Sequence, residues 1–191
     1  MELSATAIPE VRLVRPVRHG DARGWFCELW NRRRFAELGL DLDFVQDNLA
    51  RSERAFTLRG LHFQRPPSAQ SKLVRVLRGR VFDVAVDLRR GSPSFARHVA
   101  VELSAEDGAW LFVPAGFAHG YLTLEDGSEV LYKVDAPYDP ECDGGIAFDD
   151  PELAIPWPLP PEGPILSEKD RRLPRLAALD PPPFRYPGAA A

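Results

Sequence analysis

The chain has 191 residues, enough for one domain that buries roughly 70% of its unfolded surface. Its formal net charge of −4, with both signs mixed along the chain, leaves no basic footprint for nucleic acid and no polybasic patch for a membrane surface. Nineteen prolines against fourteen glycines point to many turns and extended loops, and favour an all-β fold over a helix bundle.

The first residues, Met1 to Thr6, lack a basic stretch followed by an apolar core, so no signal peptide is expected. No apolar run approaches the length of a membrane span, and a cytoplasmic location is the expectation. Residues 8–30 read as extended segments broken by the loop Gly20-Asp21-Ala22-Arg23-Gly24. A helix is signalled next, with Asn31 as N-cap, Arg32 to Leu38 as the body and Gly39 at the C′ position. The run Arg32-Arg33-Arg34 is then a solvated helix face. From about Phe56 to Lys133 short apolar runs alternate with turn residues. They include Leu73 to Leu77, a run from Val81 after Arg78-Gly79-Arg80, Val99 to Leu103, and Ala109 to Val113. Regular short strands of this kind imply a sandwich or barrel. The stretch from Asp149 is proline-rich and holds one amphipathic piece, Ser167 to Leu176, with Ser167 as cap and Asp170 in its first turn. Residues 1–180 read as one domain, and residues 181–191 as a mobile tail with little to pack. Cys27 and Cys142 match no metal or redox spacing and are expected as thiols.

The run Tyr121 to Tyr132 contains Asp126-Gly127, a favoured two-residue type I′ hairpin turn. That turn would pair Glu125 with Ser128, Thr123 with Val130 and Tyr121 with Tyr132. His119 would then lie diagonal to Tyr132, so that His119, Tyr121 and Tyr132 share one surface. Two of the chain's four histidines, His62 and His119, fall at strand-rich landmarks. A histidine, a tyrosine and a lysine gathered in one barrel can remove a proton, return one and hold an enolate in between without a metal.

Pro114-x-Gly116-x-x-His119 resembles the second cupin motif. The wider set resembles the dTDP-4-dehydrorhamnose 3,5-epimerase family of nucleotide-sugar epimerases. Its pieces are Gly20-Asp21-x-Arg23-Gly24, Val45-Gln46-Asp47-Asn48, Arg59-Gly60-Leu61-His62-Phe63-Gln64, Lys72-Leu73-Val74-Arg75-Val76, Val81 to Arg89, Gly116-Phe117-Ala118-His119-Gly120, Leu131-Tyr132-Lys133 and Leu166 to Asp170. Their order and spacing extend the likeness from about Ile8 to Leu176.

The resemblance implies a jelly-roll (cupin-type) β-barrel, a homodimer whose partner contributes to each site, and catalysis without cofactor or metal. It implies inversion at C3 and C5 of the sugar of dTDP-4-dehydro-6-deoxy-D-glucose, giving dTDP-4-dehydro-L-rhamnose. By the family pattern His62 is the base, Asp170 supports its imidazolium, Tyr132 is the acid, and Lys72 with His119 stabilises charge on the C4 oxygen. Arg23, Arg59 and Lys169 fall at the diphosphate end, Glu28, Gln46, Asp47 and Asn48 fall at the nucleoside, and Phe26 is a further substrate-binding position. Tyr138 stacks on the thymine, and Asp143 contacts the nucleotide. The strand pattern adds that Asp83 orients His119. Arg59 and His62 have opposite strand parity, so both reach one site only if Gly60 permits a bulge or twist.

Some positions depart from the family pattern. Ser71 replaces a glycine common before the lysine, a change able to narrow the space near Lys72. His19 and Trp25 stand where phenylalanine-like residues are usual, and Asp143 stands where glutamate occurs. Three other readings compete. A metal-dependent cupin needs several imidazoles and a carboxylate, and here only His62 and His119 are on offer. A non-catalytic sugar-nucleotide binder predicts loss of a proton-transfer residue, yet His62, Tyr132 and Asp170 are all present. A single-centre (3- or 5-) epimerase of a related keto sugar shares the same acid and base.

Overall fold

The computed structural model describes residues 1–179 and 181–187. The apolar runs noted above all form strands. They assemble as two facing antiparallel sheets, the arrangement of a cupin-type jelly roll. The six-stranded sheet has the order β1 (Glu2–Ala5), β2 (Arg12–Arg15), β11 (Trp110–Val113), β7 (Lys72–Arg78), β13 (Ser128–Val134) and β5 (Gln46–Ser52). The five-stranded sheet has the order β10 (His98–Ser104), β8 (Arg80–Asp87), β12 (Phe117–Thr123), β6 (Leu58–Gln64) and β14 (Asp143–Gly145). A small exposed hairpin, β3 (His19–Asp21) with β4 (Gly24–Phe26), stands apart from both. Among the described residues no helix is long and apolar enough to cross a membrane.

Three apolar layers explain why several strands are apolar on both faces. Between the sheets lie Val74, Val76, Leu111 and Val130 from one side against Val81, Ala85, Leu103 and Phe117 from the other. The outer face of the five-stranded sheet, with Leu61, Phe63, Val84 and Val86, is covered by Ile146, Leu153, Leu176 and Phe184. The outer face of the six-stranded sheet presents Leu73, Trp110 and Phe112 to Phe35 and Leu40, from the segment around α1 (Arg32–Glu37). α1 is capped as its residues demand. Asn31 accepts from the Arg34 backbone N–H, and Gly39 takes the left-handed conformation with φ +77°.

The hairpin expected at Asp126-Gly127 does not form. β12 pairs with β6 and β8, whereas β13 pairs with β5 and β7, so the turn carries the chain from one sheet to the other. Both edges of each strand are already occupied, which leaves β12 and β13 no edge with which to pair each other. The corner is fixed instead by the Gly127 N–H to Glu53 O (3.1 Å) and by the Ala55 N–H to the Asp126 carboxylate (2.7 Å).

The C-terminal expectations are partly revised. The short helix capped by Ser167 forms as α2, Glu168–Arg171; Pro174 bars the helical conformation at Leu173, and a 3₁₀ turn follows at Leu176–Ala178. The start of the supposedly mobile tail is packed. β15 (Phe184–Arg185) runs parallel to β9 (Arg89–Arg90), Phe184 is buried edge-on to Phe63, and Arg89 lies 5.0 Å from the centre of the Tyr186 ring. The remainder of that tail, 188–191, lies outside the described residues, as does position 180. Cys27 and Cys142 are both free thiols.

Candidate active site

The site rests on an irregularity in β6. Opposite β12, His62 pairs with His119 and Arg59 with Tyr121, so Gly60 and Leu61 together face Gly120, a bulge of one residue. Gly60 has φ +126°, and a Cβ there would stand 2.6 Å from the Gly120 Cα and 2.8 Å from the His119 carbonyl oxygen. Only glycine meets both demands. The bulge resolves the parity conflict between Arg59 and His62 as the sequence requires, and both line one cavity of about 390 Å³.

Each histidine of the site is held by its own carboxylate. His62 Nε2 lies 2.6 Å from Asp170 Oδ1, and His119 Nε2 lies 2.8 Å from Asp83 Oδ1. Asp170 comes from the first turn of α2, where its backbone N–H donates to Ser167 Oγ. Burial pushes the Asp170 carboxyl up, but the bond and charge of His62, with Ser167 and the Gly60 N–H, hold it below the usual range. Asp83 is fully buried, in keeping with the orienting role expected of it.

Lys72 opens β7 and is buried, donating to Gln70 Oε1 at 3.1 Å. Burial lowers its pKa from 10.5 to about 8, which Asp135 and Asp143 only partly offset. Tyr132 enters the same cavity from β13, in the opposite sheet to His62, with the Lys72 ammonium 5.9 Å from its ring centre. Burial raises the Tyr132 phenol, and the Arg59 guanidinium opposes that rise.

A second cavity of about 360 Å³ adjoins the first, and His62, Lys72, Tyr132 and Lys169 line both. Gln46, Asn48, Tyr138 and Asp143 line the second. Gln46 accepts from the Tyr138 backbone N–H at 3.0 Å and donates to Asn48 at 2.8 Å; Asp143 takes Lys169 as its ion-pair partner. The Tyr138 ring is 56% exposed and thus free to stack on a flat ligand.

Four expected site residues lie elsewhere in the protomer. Along β5 even-numbered positions face the cavity and odd-numbered ones face out, so Asp47 points away and ion-pairs Lys133 at 2.8 Å. Arg23, Phe26 and Glu28 belong to the β3–β4 hairpin and the segment after it. Arg23 pairs with Asp21, Phe26 is 71% exposed, and Glu28 pairs with Arg34 at 3.1 Å beside a separate small pocket shared with His19. The Ser71 hydroxyl accepts from the Ala115 N–H at 3.2 Å.

Sequence reasoning passed over Gln64 and Gln70 as site residues, and gave Tyr121 no role beyond sharing a surface with His119 and Tyr132. Gln64 is signalled by its place two residues beyond His62 on the same face of the strand; its carboxamide oxygen receives the Asp139 N–H at 2.7 Å and steadies the loop bearing Tyr138. Gln70 Nε2 donates to Ala136 O at 2.6 Å in the same loop. Among the described residues, no group of three or more His, Cys, Asp or Glu side chains is placed to hold a metal ion.

The sequence model of the family described as dTDP-4-dehydrorhamnose 3,5-epimerase matches residues 5–178. The chain belongs to the dTDP-4-dehydrorhamnose 3,5-epimerase family. It is 48% identical over 186 residues to the enzyme of that name from Sinorhizobium fredii, covering 97% of this chain and 94% of the relative. The counterpart from Pseudomonas aeruginosa is 51% identical over 173 residues, 90% of this chain and 94% of its own. Among solved structures, the dTDP-6-deoxy-D-glucose-3,5-epimerase of Legionella pneumophila in complex with dTDP-4-keto-L-rhamnose superposes with a TM-score of 0.92 at 43% identity, covering 97% of this chain and 98% of that one. Family members so named are epimerases, which are isomerases, and the bulged β6 with its two His–carboxylate pairs is how this member's scaffold is built around one cavity.

Proposed function

We propose that the protein inverts C3 and C5 of the sugar of dTDP-4-dehydro-6-deoxy-D-glucose, giving dTDP-4-dehydro-L-rhamnose. The observation that carries this reading is that His62 and Tyr132 project from facing sheets into one cavity whose walls include Lys72 and His119. A ketone at C4 acidifies the hydrogens on both neighbouring carbons. A base on one face and an acid on the other are what inversion through an enolate requires.

In this mechanism neutral His62 removes the proton from C5 or C3, and ionised Asp170 stabilises the imidazolium that forms. Negative charge moves to the C4 oxygen, where buried Lys72 and the His119–Asp83 pair meet it. Tyr132 then delivers a proton to the opposite face. All of these steps use the chain's own groups. Arg59 and Lys169 are suited to diphosphate oxygens, Gln46 and Asn48 to the polar edge of the nucleoside, and exposed Tyr138 to its base.

A homodimer is part of the proposal. Arg23, Phe26 and Glu28 do not reach the cavity of their own chain, and the hairpin that carries Arg23 and Phe26 also exposes Trp25. Exposed Val45 and Leu49 lie at the β5 edge of the six-stranded sheet. Apolar side chains gathered on projecting and edge segments suit an interface with a second copy, whose site the hairpin would complete.

The deciding experiment is incubation of the 4-keto sugar nucleotide in heavy water, followed by NMR at both carbons. Deuterium is expected at C3 and C5 with inversion at each; deuterium at one carbon alone assigns a single-centre epimerase instead. His62→Ala is expected to abolish exchange, whereas Tyr132→Phe retains some exchange with little inversion. Full inversion by Tyr132→Phe would remove Tyr132 as the acid.

A further inference from the structure

Tyr138 stands on the loop Asp135 to Asp139 that follows β13, and three glutamines lining the second cavity hold the backbone of that loop. Gln46 Oε1 accepts the Tyr138 N–H at 3.0 Å. Gln64 Oε1 accepts the Asp139 N–H at 2.7 Å, and its Nε2 donates to Pro137 O at 3.2 Å. Gln70 Nε2 donates to Ala136 O at 2.6 Å. A parallel brace comes from the next residue, where the Ser71 N–H donates to the Asp135 carboxylate at 2.6 Å.

Gln70 differs from the other two in what its second group touches. Gln46 donates to Asn48 and Gln64 to Ser68 O, whereas Gln70 Oε1 accepts from the Lys72 ammonium at 3.1 Å. One buried carboxamide thus joins a cation on the wall of the reaction cavity to the loop that carries Tyr138. Its orientation is fixed by its partners. Lys72 offers donors alone and Ala136 O offers lone pairs alone, so a flipped amide would set NH2 against ammonium and oxygen against carbonyl. Neither an aliphatic side chain nor a carboxylate satisfies both ends.

We propose that Gln70 is a positioning residue for two subsites: its carboxamide holds the Lys72 ammonium toward the C4 oxygen of the keto sugar and the Tyr138 loop against the nucleotide base. This rests on Lys72 and Tyr138 serving those two groups. An ammonium has three N–H donors, and spending one on Gln70 fixes where the other two point. Lysine has a flexible four-carbon stem and no planar fork, so a fixed acceptor supplies the aim. No proton changes hands between Gln70 and Lys72 in this role.

Gln70→Met removes both bonds and keeps an unbranched stem. Gln70→Glu keeps an acceptor for Lys72 and loses the donor to Ala136 O; circular dichroism checks that each variant is folded. In Gln70→Met, turnover and solvent exchange should fall together by about ten- to a hundredfold, the range for a hydrogen bond to a charged group. Binding of dTDP, which lacks the sugar, should weaken about fivefold in both variants, as for one neutral hydrogen bond. The alkaline limb of kcat should move to higher pH in Gln70→Glu, whose carboxylate favours the charged ammonium. In Gln70→Met, which loses an acceptor for that charge, it should move to lower pH. The other titratable groups around Lys72, namely Asp135, Asp143, His62, His119, Tyr132 and Lys169, are common to parent and variants. Parental turnover or dTDP affinity in Gln70→Met, or alkaline limbs that move the same way or not at all, would each overturn the inference. Parental dTDP affinity in Tyr138→Ala, or parental turnover in Lys72→Met, would instead sink the subsite assignments on which it stands.

Discussion

Replacing Lys72 with methionine is expected to stabilise the fold while disabling the site. The ammonium is buried, and its pKa falls from 10.5 to about 8. At ~1.4 kcal/mol per pKa unit, holding that charge costs the folded chain at most about 3 kcal/mol near pH 7. Lys72→Met keeps an unbranched apolar stem and leaves Gln70 Oε1 without its 3.1 Å donor. That loss returns about 1 kcal/mol, leaving a net gain of about 2 kcal/mol. For a chain of this size the gain corresponds to a rise in Tm of about 4–8 °C. The gain must also depend on pH with a fixed sign. Below pH 8 the lysine is charged in both states and the parent bears the whole cost. Between pH 8 and 10.5 the unfolded chain binds a proton that the folded chain has released, so parental stability climbs with pH. Urea midpoints for parent and variant at neutral pH and at the alkaline end of that window should therefore converge as pH rises. Turnover should fall by at least about 10² at neutral pH, as expected when charge on the C4 oxygen loses its cation. A variant less stable than the parent at neutral pH, or a gap that ignores pH, would refute the reasoning.

Four further expectations rest on the same geometry. Asp170→Asn keeps the shape but removes the charge 2.6 Å from His62 Nε2; kcat and solvent exchange should fall together, by about 10²–10⁴, with KM nearly constant, as NMR-monitored turnover would show. Gly60→Ala places a Cβ 2.6 Å from the Gly120 Cα at φ +126°; strain and overpacking should cost about 2–6 kcal/mol and lower Tm by at least about 4 °C in calorimetry. Phe26→Asp puts a charge on a residue that is 71% exposed in the protomer; sedimentation should show loss of the dimer and activity should fall with it, whereas an unchanged dimer would clear the hairpin of an interface role. Mixing Arg23→Ala chains with His62→Ala chains should then restore activity that neither has alone, because a mixed dimer rebuilds one complete site.

The β content was legible because alternation and β-branched runs are local properties, and so was the cap at Asn31 with Gly39. The need for a bulge or twist at Gly60 could also be read from the strand parity of Arg59 and His62, and the structure has the bulge. Asp47 lies outside the protomer's own cavity, and that was legible in the strand period. Strand period puts Gln46 and Asn48 on one face of β5 and Asp47 on the other, and a resemblance alone does not say which face meets which copy of the chain. The tail was underestimated because Phe184 is one apolar residue among prolines, and its partners Phe63 and Arg89 come from distant parts of the chain.

The Asp126-Gly127 corner shows why the site itself was only half legible. Turn chemistry is decided by a few residues, but whether the strands on either side pair is decided by which edges are still open. Here β6 and β8 occupy β12 while β5 and β7 occupy β13, so the same two residues send Tyr121 and Tyr132 into opposite walls. The expected grouping of His119, Tyr121 and Tyr132 around one space survives for a different reason, because facing sheets enclose them rather than one surface carrying them. That difference matters chemically. Neighbours on one sheet would approach a sugar from the same side, and proton removal and return there would leave its stereochemistry unchanged. With His62 and Tyr132 on opposing sheets, the proposed mechanism has a ring held between them lose a proton to one wall and gain one from the other, which is the inversion that one sheet alone would not give.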